Sequence, residues 1–451
     1  MGISLGKQAV VVGAGMGGLT AAKAVSAHFE RVMVLDRDAL PDEPHARPGT
    51  PQARHGHVLL VGGQQALAEL FPGVEAEFAG AGAVPTRLGL DIRVERPGYD
   101  PFPKRDLGLT ALCMSRALIE FVTRRQLARA SNVAFRARCR VKELVPAKDG
   151  SAVAGVRYED AEGRQQTMSA DLVVEASGRA QLTLAFLASI GAAKPDETEI
   201  GIDQAYSSAV FQIPDDAPTG WLGLMHLPGA PQTSRGAFLF PMEETRWIVS
   251  LGGNHGDAPP ADMEGFMAFA KSLRTPTLYD AVNRARPLGD IARYVLPSSV
   301  RRHFERLERF PHGLVPIADS ICRFNPVFGQ GMSVAAQEAC VLGRLLASRA
   351  SLPQPLEGLA PDFFAAIQNG LAAPWATAET DFVFPQTRGR RPADLEGRLQ
   401  YAAALTHLAA EDPSLHRMLA EVNGLVQPQS VLQEPQLVAR VRERMAASAS
   451  V

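Results

Sequence analysis

Two groups of residues have the types and spacing to do chemistry at a cofactor. In the stretch GLVPIADSICRFNPVFGQGMSVAAQEACVLGRLL, which opens at Gly313, an apolar run ends at Ala318-Asp319. A loop with Asn325, Pro326, Gly329, Gln330 and Gly331 then leads into an alanine-rich helix expected to begin near Met332. A carboxylate such as Asp319 accepts hydrogen bonds from sugar-like hydroxyls. The glycines let unpaired amides, and the positive end of the helix dipole, approach a ligand that becomes anionic. A reduced flavin ring is such a ligand. The second group is Gly13-Ala-Gly15-Met16-Gly17-Gly18 with Asp36 behind it. Gly13 suits a tight turn, Gly15 the close approach of a pyrophosphate and Gly18 close helix packing. Asp36 sits where a carboxylate takes ribose hydroxyls in dinucleotide-binding units.

The elements that must position these residues follow from hydrophobic period. Gln8–Val12 and Arg31–Leu35 are β-branched runs on either side of an amphipathic stretch ending at His28, which is strand, helix, strand order. That order identifies dinucleotide binding without choosing between NAD and FAD. Met114–Leu127 has the period of a helix with Arg116 in its first turn. Val133–Val145 and Ala152–Arg157 are expected as strands joined through a Lys-Asp-Gly turn, and Gln165–Ser169 as a further strand. Leu172–Val174 is expected as a buried strand, with Ser177-Gly178 turning Arg179 back toward the cofactor. From Glu199 to Val300 the runs alternate and carry aromatics, which predicts an antiparallel sheet. Phe211, Trp221, Met225, Phe238, Phe240 and Trp247 on it line a pocket or fill the core. Beyond the Pro-rich segment 352–361, helices are expected over 362–371, 396–409 and 413–422. The basic helix 436–447 should pack on its own domain.

Composition narrows the partners. With 46 Lys+Arg against 48 Asp+Glu and no long run of one sign, the 451-residue chain has no nucleic-acid footprint and no firm membrane signal. A small hydrophobic or aromatic molecule fits better. Cys113, Cys139, Cys322 and Cys340 have no C-x-x-C spacing and are expected as reduced thiols. Gly2 suggests myristoylation, but Gly6 stands where that motif needs Ser or Thr. The opening MGISLGKQAVVVGAG enters a strand with no basic segment before it, so the protein is expected in the cytoplasm.

The Ala318-Asp319 turn, the glycine string and the run FNPVFGQGMSVAA resemble the FAD-dependent aromatic hydroxylases, the superfamily of p-hydroxybenzoate hydroxylase. That run and PQARHGHVLL at Pro51 are most similar to the branch containing bacterial polyketide epoxidases. The resemblance implies an α/β fold with a Rossmann-type FAD-binding domain like that of glutathione reductase. It also implies an interleaved antiparallel-sheet substrate domain and a helical C-terminal extension. We place the FAD-binding domain in 1–75, 107–190 and 305–350, the substrate domain in 76–106 and 191–304, and the extension in 351–451. The cofactor-binding residues implied are Gly13, Gly15, Met16, Gly18, Asp36, Arg37, Arg54, Arg116, Gly178, Asp319, Pro326, Gly329, Gly331 and Met332. DLVVEASGR resembles the family's second motif, with Glu175 and Gln181 departing from it, and Ala318 replaces the usual glycine before Asp319.

The reaction implied is monooxygenation. NAD(P)H, directly or through a separate flavin reductase, reduces FAD, molecular oxygen adds, and one oxygen atom passes from a flavin hydroperoxide to an aromatic ring or alkene. The cofactor carries that chemistry, so no catalytic side chain is assigned. His55 and His57 are the candidates for a base near the ring; a metal pair there lacks further ligands in pattern. A flavin oxidase or dehydrogenase would use the same motifs. A halogenase would carry Trp-x-Trp-x-Ile-Pro, in which neither Trp221 nor Trp247 sits. Escort proteins of the same fold would lack Asp36, Asp319 and the 329–331 glycines.

Overall fold

A computed structural model describes residues 4–449; Gly2 lies outside them. The Val-rich strand Gly6–Val12 is buried on both faces from Ala9 to Val12, as a central parallel strand must be. It pairs in parallel with Phe29–Leu35 on one side and Leu172–Glu175 on the other. Leu314–Pro316 and Val133–Arg136 complete a five-stranded parallel sheet as its edges. Because all five strands run one way, Gly13, Asp36, Ser177 and Ala318-Asp319 leave the sheet at the same end. Ligand crevices lie at this carboxyl end in such folds. The helices Met16–Ser26 and Gly331–Ser348 pack together over the sheet, with Gly343 against Ala24.

One expected strand is two. Val133–Arg136 ends the parallel sheet, and Arg140–Pro146 belongs to a three-stranded antiparallel sheet with Val153–Glu159 and Gln165–Ser169. The break falls at Arg138, whose φ of 55° turns the chain. Its amide and that of Cys139 bond the Asp38 and Asp36 carbonyls, tying this corner to the second strand.

The larger antiparallel sheet is centred on Glu197–Gln212, between Ala292–Arg302 and Arg246–Gly253. Beyond Arg246–Gly253 come Gly236–Met242, Gly223–His226 and, running parallel to the last, Ile92–Glu95. Two-residue alternation sorts the aromatics. Phe211 and Trp247 face a core with Phe266 and Phe269, whereas Met225, Phe238 and Phe240 face a cavity.

The C-terminal region is helical. Leu359–Ala366 and Gln368–Glu379 continue past the expected end at Leu371, with Pro374 inside the second helix. Their Phe363, Phe364, Leu371 and Trp375 join the core of the parallel sheet. Leu395–Glu411, Pro413–Asn423 and Pro435–Ala449 form their own cluster through Leu405, Leu415, Leu437 and Val441, closed by Phe102. Among the described residues no helix is long and apolar enough to cross a membrane.

Candidate functional site

The cradle at the first helix is dictated by sterics. A Cβ at Gly13, where φ is +103°, would meet the Ala176 carbonyl at 2.7 Å, and one at Gly18 would meet the Gly13 carbonyl at 1.8 Å. Both positions therefore demand glycine. A Cβ at Gly15 would meet nothing closer than the Arg47 and Arg116 guanidiniums, at 3.9 and 4.0 Å. Gly15 thus faces two cations across open space. No side chain caps the helix at Gly15, so the Met16, Gly17 and Gly18 amides stay available to an anion.

Buried carboxylates hold the cations. Arg47 bonds Asp36 and Asp38 at 3.1 Å each and Glu120 at 3.2 Å, and Arg116 bonds Glu120 at 2.7 Å. Burial works against the Arg47 charge, but Glu120, Asp36 and Asp38 hold its pKa above the ordinary value. Asp36 also accepts the Ala14 amide at 2.6 Å and the Asp38 amide at 2.8 Å. Arg37 is exposed and 4.0 Å from Asp38. Arg54 is exposed at the end of the short turn Pro51–Arg54, whereas Arg47 and Arg116 are the arginines beside Gly15.

The second cradle lies across the sheet end. Ala318 adopts a φ of 59°, turning Asp319 toward Gly331, where a Cβ would be 3.7 Å from the Asp319 carboxylate. A Cβ at Gly178 would lie 4.0 Å from the same side chain. Burial pushes the Asp319 carboxyl up, against the pull of Arg116, Arg323 and Arg302. The helix Gly331–Ser348 has no side-chain cap, and the Gln330 Oε1 beside its start is buried without a partner. Pro326 and Gly329 form the short turn before it, held by Asn325 through the Val327 amide at 3.2 Å; Met332 is buried in the first helical turn.

A cavity of about 340 Å³ opens beside this turn. Pro326, Gly329, His55 and His57 form one end, and Phe238, Phe240 and Met225 its sheet wall. His55 Nδ1 is 2.8 Å from Ser208 Oγ, which is 2.6 Å from Ser250 Oγ; the latter accepts the Gly56 amide at 2.8 Å. His57 Nδ1 lies 2.8 Å from the His55 carbonyl. Burial, with Arg54 adding, lowers His55 to about 4; burial, then Arg116, lowers His57 to about 3. Both rings are neutral at physiological pH. The His57 Nδ1–H therefore donates to that carbonyl, which leaves Nε2 an acceptor.

No family model matches the chain. Protein Rv3254 of Mycobacterium tuberculosis is 33% identical to it over 359 residues, 76% of this chain and 73% of that protein. The chain belongs to the family of Protein Rv3254. Similar solved structures carry the fold further. A flavoprotein/dehydrogenase from Cytophaga hutchinsonii superposes with a TM-score of 0.71 at 14% identity, covering 98% of this chain and 100% of that one. The flavin-dependent brominase Bmp2 gives 0.67 at 15% identity, over 99% of both chains. PqsL, a probable FAD-dependent monooxygenase from Pseudomonas aeruginosa, gives 0.60 at 16% identity, covering 84% of this chain and 98% of that one. At these identities the likeness is one of fold: this Rv3254-family chain has the α/β architecture of the flavoproteins, with a parallel sheet, antiparallel sheets and a helical C-terminal region.

Several residues of the candidate site are not evident from the sequence alone. Arg47 is the first, and Glu120, four residues after Arg116 on one helix face, was the available signal for it. Glu338 is the second: buried in the alanine-rich helix, it accepts the Ala318 amide at 2.7 Å. The third is a chain in which Tyr206 donates to Asn325 at 2.9 Å and Asn325 to Asp381 at 3.1 Å. Burial pushes the Asp381 carboxyl to about 7, with the Asn325 bond opposing. Glu175, which departs from the expected motif, accepts the Leu182 and Thr183 amides at 3.2 and 2.8 Å and so caps the helix that follows.

Proposed function

We propose that this protein is a FAD-dependent monooxygenase that transfers one oxygen atom to a small hydrophobic or aromatic metabolite, by hydroxylation or epoxidation. The observation that carries the reading is the apolar cavity meeting the Pro326–Gly329 turn, beside two uncapped helix starts and the Arg47–Arg116 pair. These residues fit FAD. Arg47, Arg116 and the 16–18 amides would hold its pyrophosphate, Asp36 a ribose and Asp319 the ribityl chain. The Gly331 and Met332 amides would face the ring, with Gln330 Oε1 as a buried acceptor in want of a donor. When bound, FAD supplies the electrons that activate molecular oxygen. The chain's part is to orient the acceptor against Pro326 and Gly329, to keep water out with Phe238, Phe240 and Val58, and to offset negative charge at the helix start.

The two neutral histidines favour an alkene. With His57 lowered to about 3, its Nε2 is a weak base for a phenol, whereas epoxidation removes no proton from the substrate. That agrees with the polyketide epoxidase-like branch and a role in secondary metabolism. NAD(P)H as reductant, directly or through a partner reductase, and a cytoplasmic location complete the proposal. The test is to load the protein with FAD, reduce it, and admit labelled dioxygen with an alkene-bearing polyketide or a phenol, with and without bromide. One labelled oxygen in the product is expected. Hydrogen peroxide alone would mean an oxidase or dehydrogenase, and a brominated product a halogenase.

A further inference from the structure

The far end of the cavity is built differently from the flavin end. Its lining includes three cations, Arg93, Arg96 and Lys104, and no Asp or Glu. Arg93 bonds Glu95 at 2.7 Å, and Lys104 donates to the Gly220 carbonyl at 3.0 Å. Arg96 has no carboxylate partner among the described residues. Its Nε is buried without an acceptor, and its one side-chain bond is a 3.4 Å contact with Thr406. His416 lines the same end, with a buried, unpartnered Nδ1. Phe102 fixes both groups, with the Arg96 guanidinium over its ring at 4.9 Å and the His416 ring edge-on at 4.9 Å.

Two polar side chains that share one apolar support and line a cavity with no carboxylate in its lining are an anion's partners. We infer that Arg96 and His416 bind the carboxylate of the substrate, which is an elongated apolar acid whose other end reaches the Pro326–Gly329 turn. Burial, then Arg105 and Arg96, lowers His416 to about 4, so the imidazole acts as a neutral donor and Arg96 carries the single charge, a match for a monoanion. The reach follows from the sheet. Arg96 succeeds the edge strand Ile92–Glu95, four strands from the Ser208 that bonds His55, which is about 19 Å at the usual interstrand spacing. Between them the wall is Val94, Met225, Phe238 and Phe240. His416 comes from the helix Pro413–Asn423, so the C-terminal helices complete the substrate site.

This inference names the substrate class of the proposed monooxygenase and rests on that reading for which end is oxidised. Its test uses the full chain with oleate and methyl oleate as probes, with binding measured by calorimetry. Oleate is expected to bind at least tenfold more tightly than the ester. Arg96→Gln should abolish that preference, lowering oleate affinity about tenfold and leaving the ester's unchanged, and Arg96→Lys should restore part of it. Equal affinity for acid and ester in the unmodified protein would overturn the inference, as would an Arg96→Gln variant that is folded by circular dichroism and keeps the preference. Because binding is read without turnover, it separates the two readings. A carboxylate preference with no oxygenated product would retain the acid site and refute the monooxygenase; equal affinity for acid and ester with an oxygenated product would do the reverse.

Discussion

Glu338 Oε2 accepts the Ala318 amide at 2.7 Å, from the helix beneath the turn that presents Asp319. The bond ties the last strand of the parallel sheet to the helix whose start faces the cofactor cradle. A single buried carboxyl thus spans two elements joined by the whole 318–331 loop. Asp319, one residue on, is free of that task and can turn its oxygens to a ligand.

Asp319→Ala should therefore lose FAD without losing the fold. The variant removes the acceptor proposed for the ribityl chain but leaves the Glu338–Ala318 bond in place. Flavin content after gel filtration should fall sharply while the far-ultraviolet circular dichroism is unchanged. Flavin retained in full would refute the role given to Asp319.

The arginine pair separates a buried cation from an exposed one. Arg47→Ala leaves Asp36, Asp38 and Glu120 short of a partner, and stripping one member from a buried ion network costs about 3–5 kcal/mol. A clear drop in melting temperature and loss of FAD are expected. Arg54→Ala, at an exposed position, should change stability by no more than about 0.5 kcal/mol. The reverse ranking for flavin retention would assign the pyrophosphate to Arg54 instead.

Ala318 occupies left-handed backbone at φ 59°, at a cost of roughly 1–2 kcal/mol for a residue with a Cβ. Ala318→Gly relieves that cost but adds freedom to the unfolded chain worth about 0.4–1 kcal/mol. The net expectation is a gain between zero and about 1.6 kcal/mol, with FAD retained. Calorimetric melting checks it; a loss of several degrees would mean that the Ala318 methyl is a needed contact for Gly17.

What was legible in the sequence is what one segment dictates by itself. Gly18 is demanded by a clash with the Gly13 carbonyl and Gly13 by its positive φ, both within one turn, and the Val-rich strands by their burial, so they could be read in order along the chain. Arg47, Asn325 with Asp381, and Arg96 with His416 act across 73, 56 and 320 residues, through contacts that only the packed chain creates. The Val133–Val145 run misled for a related reason. Its composition is that of one strand, and the turn at Arg138 is fixed by carbonyls of Asp36 and Asp38, a hundred residues earlier. Glu338 did leave a trace, as one acid on the apolar face of an alanine-rich helix.

That acid gives a pH-dependent test. Burial, with Asp319 adding and the Ala318 amide opposing, pushes the Glu338 carboxyl to about 8, against about 4.3 in an unfolded chain. Between those values the folded protein binds the extra proton, so stability from this site is complete below pH ~4.3 and is lost as pH rises toward ~8. Glu338→Gln keeps an acceptor for Ala318 and does not titrate. Its melting temperature relative to the unmodified protein should rise between pH 5 and pH 8.5, by at least about 2 °C for a protein of this size. Asp381, pushed to about 7, loses stability in the same direction, but it is present in both proteins and cancels in the difference. Parallel melting curves across that range would mean that Glu338 is ionised where it lies, and the Ala318 bond would then be an ionic one.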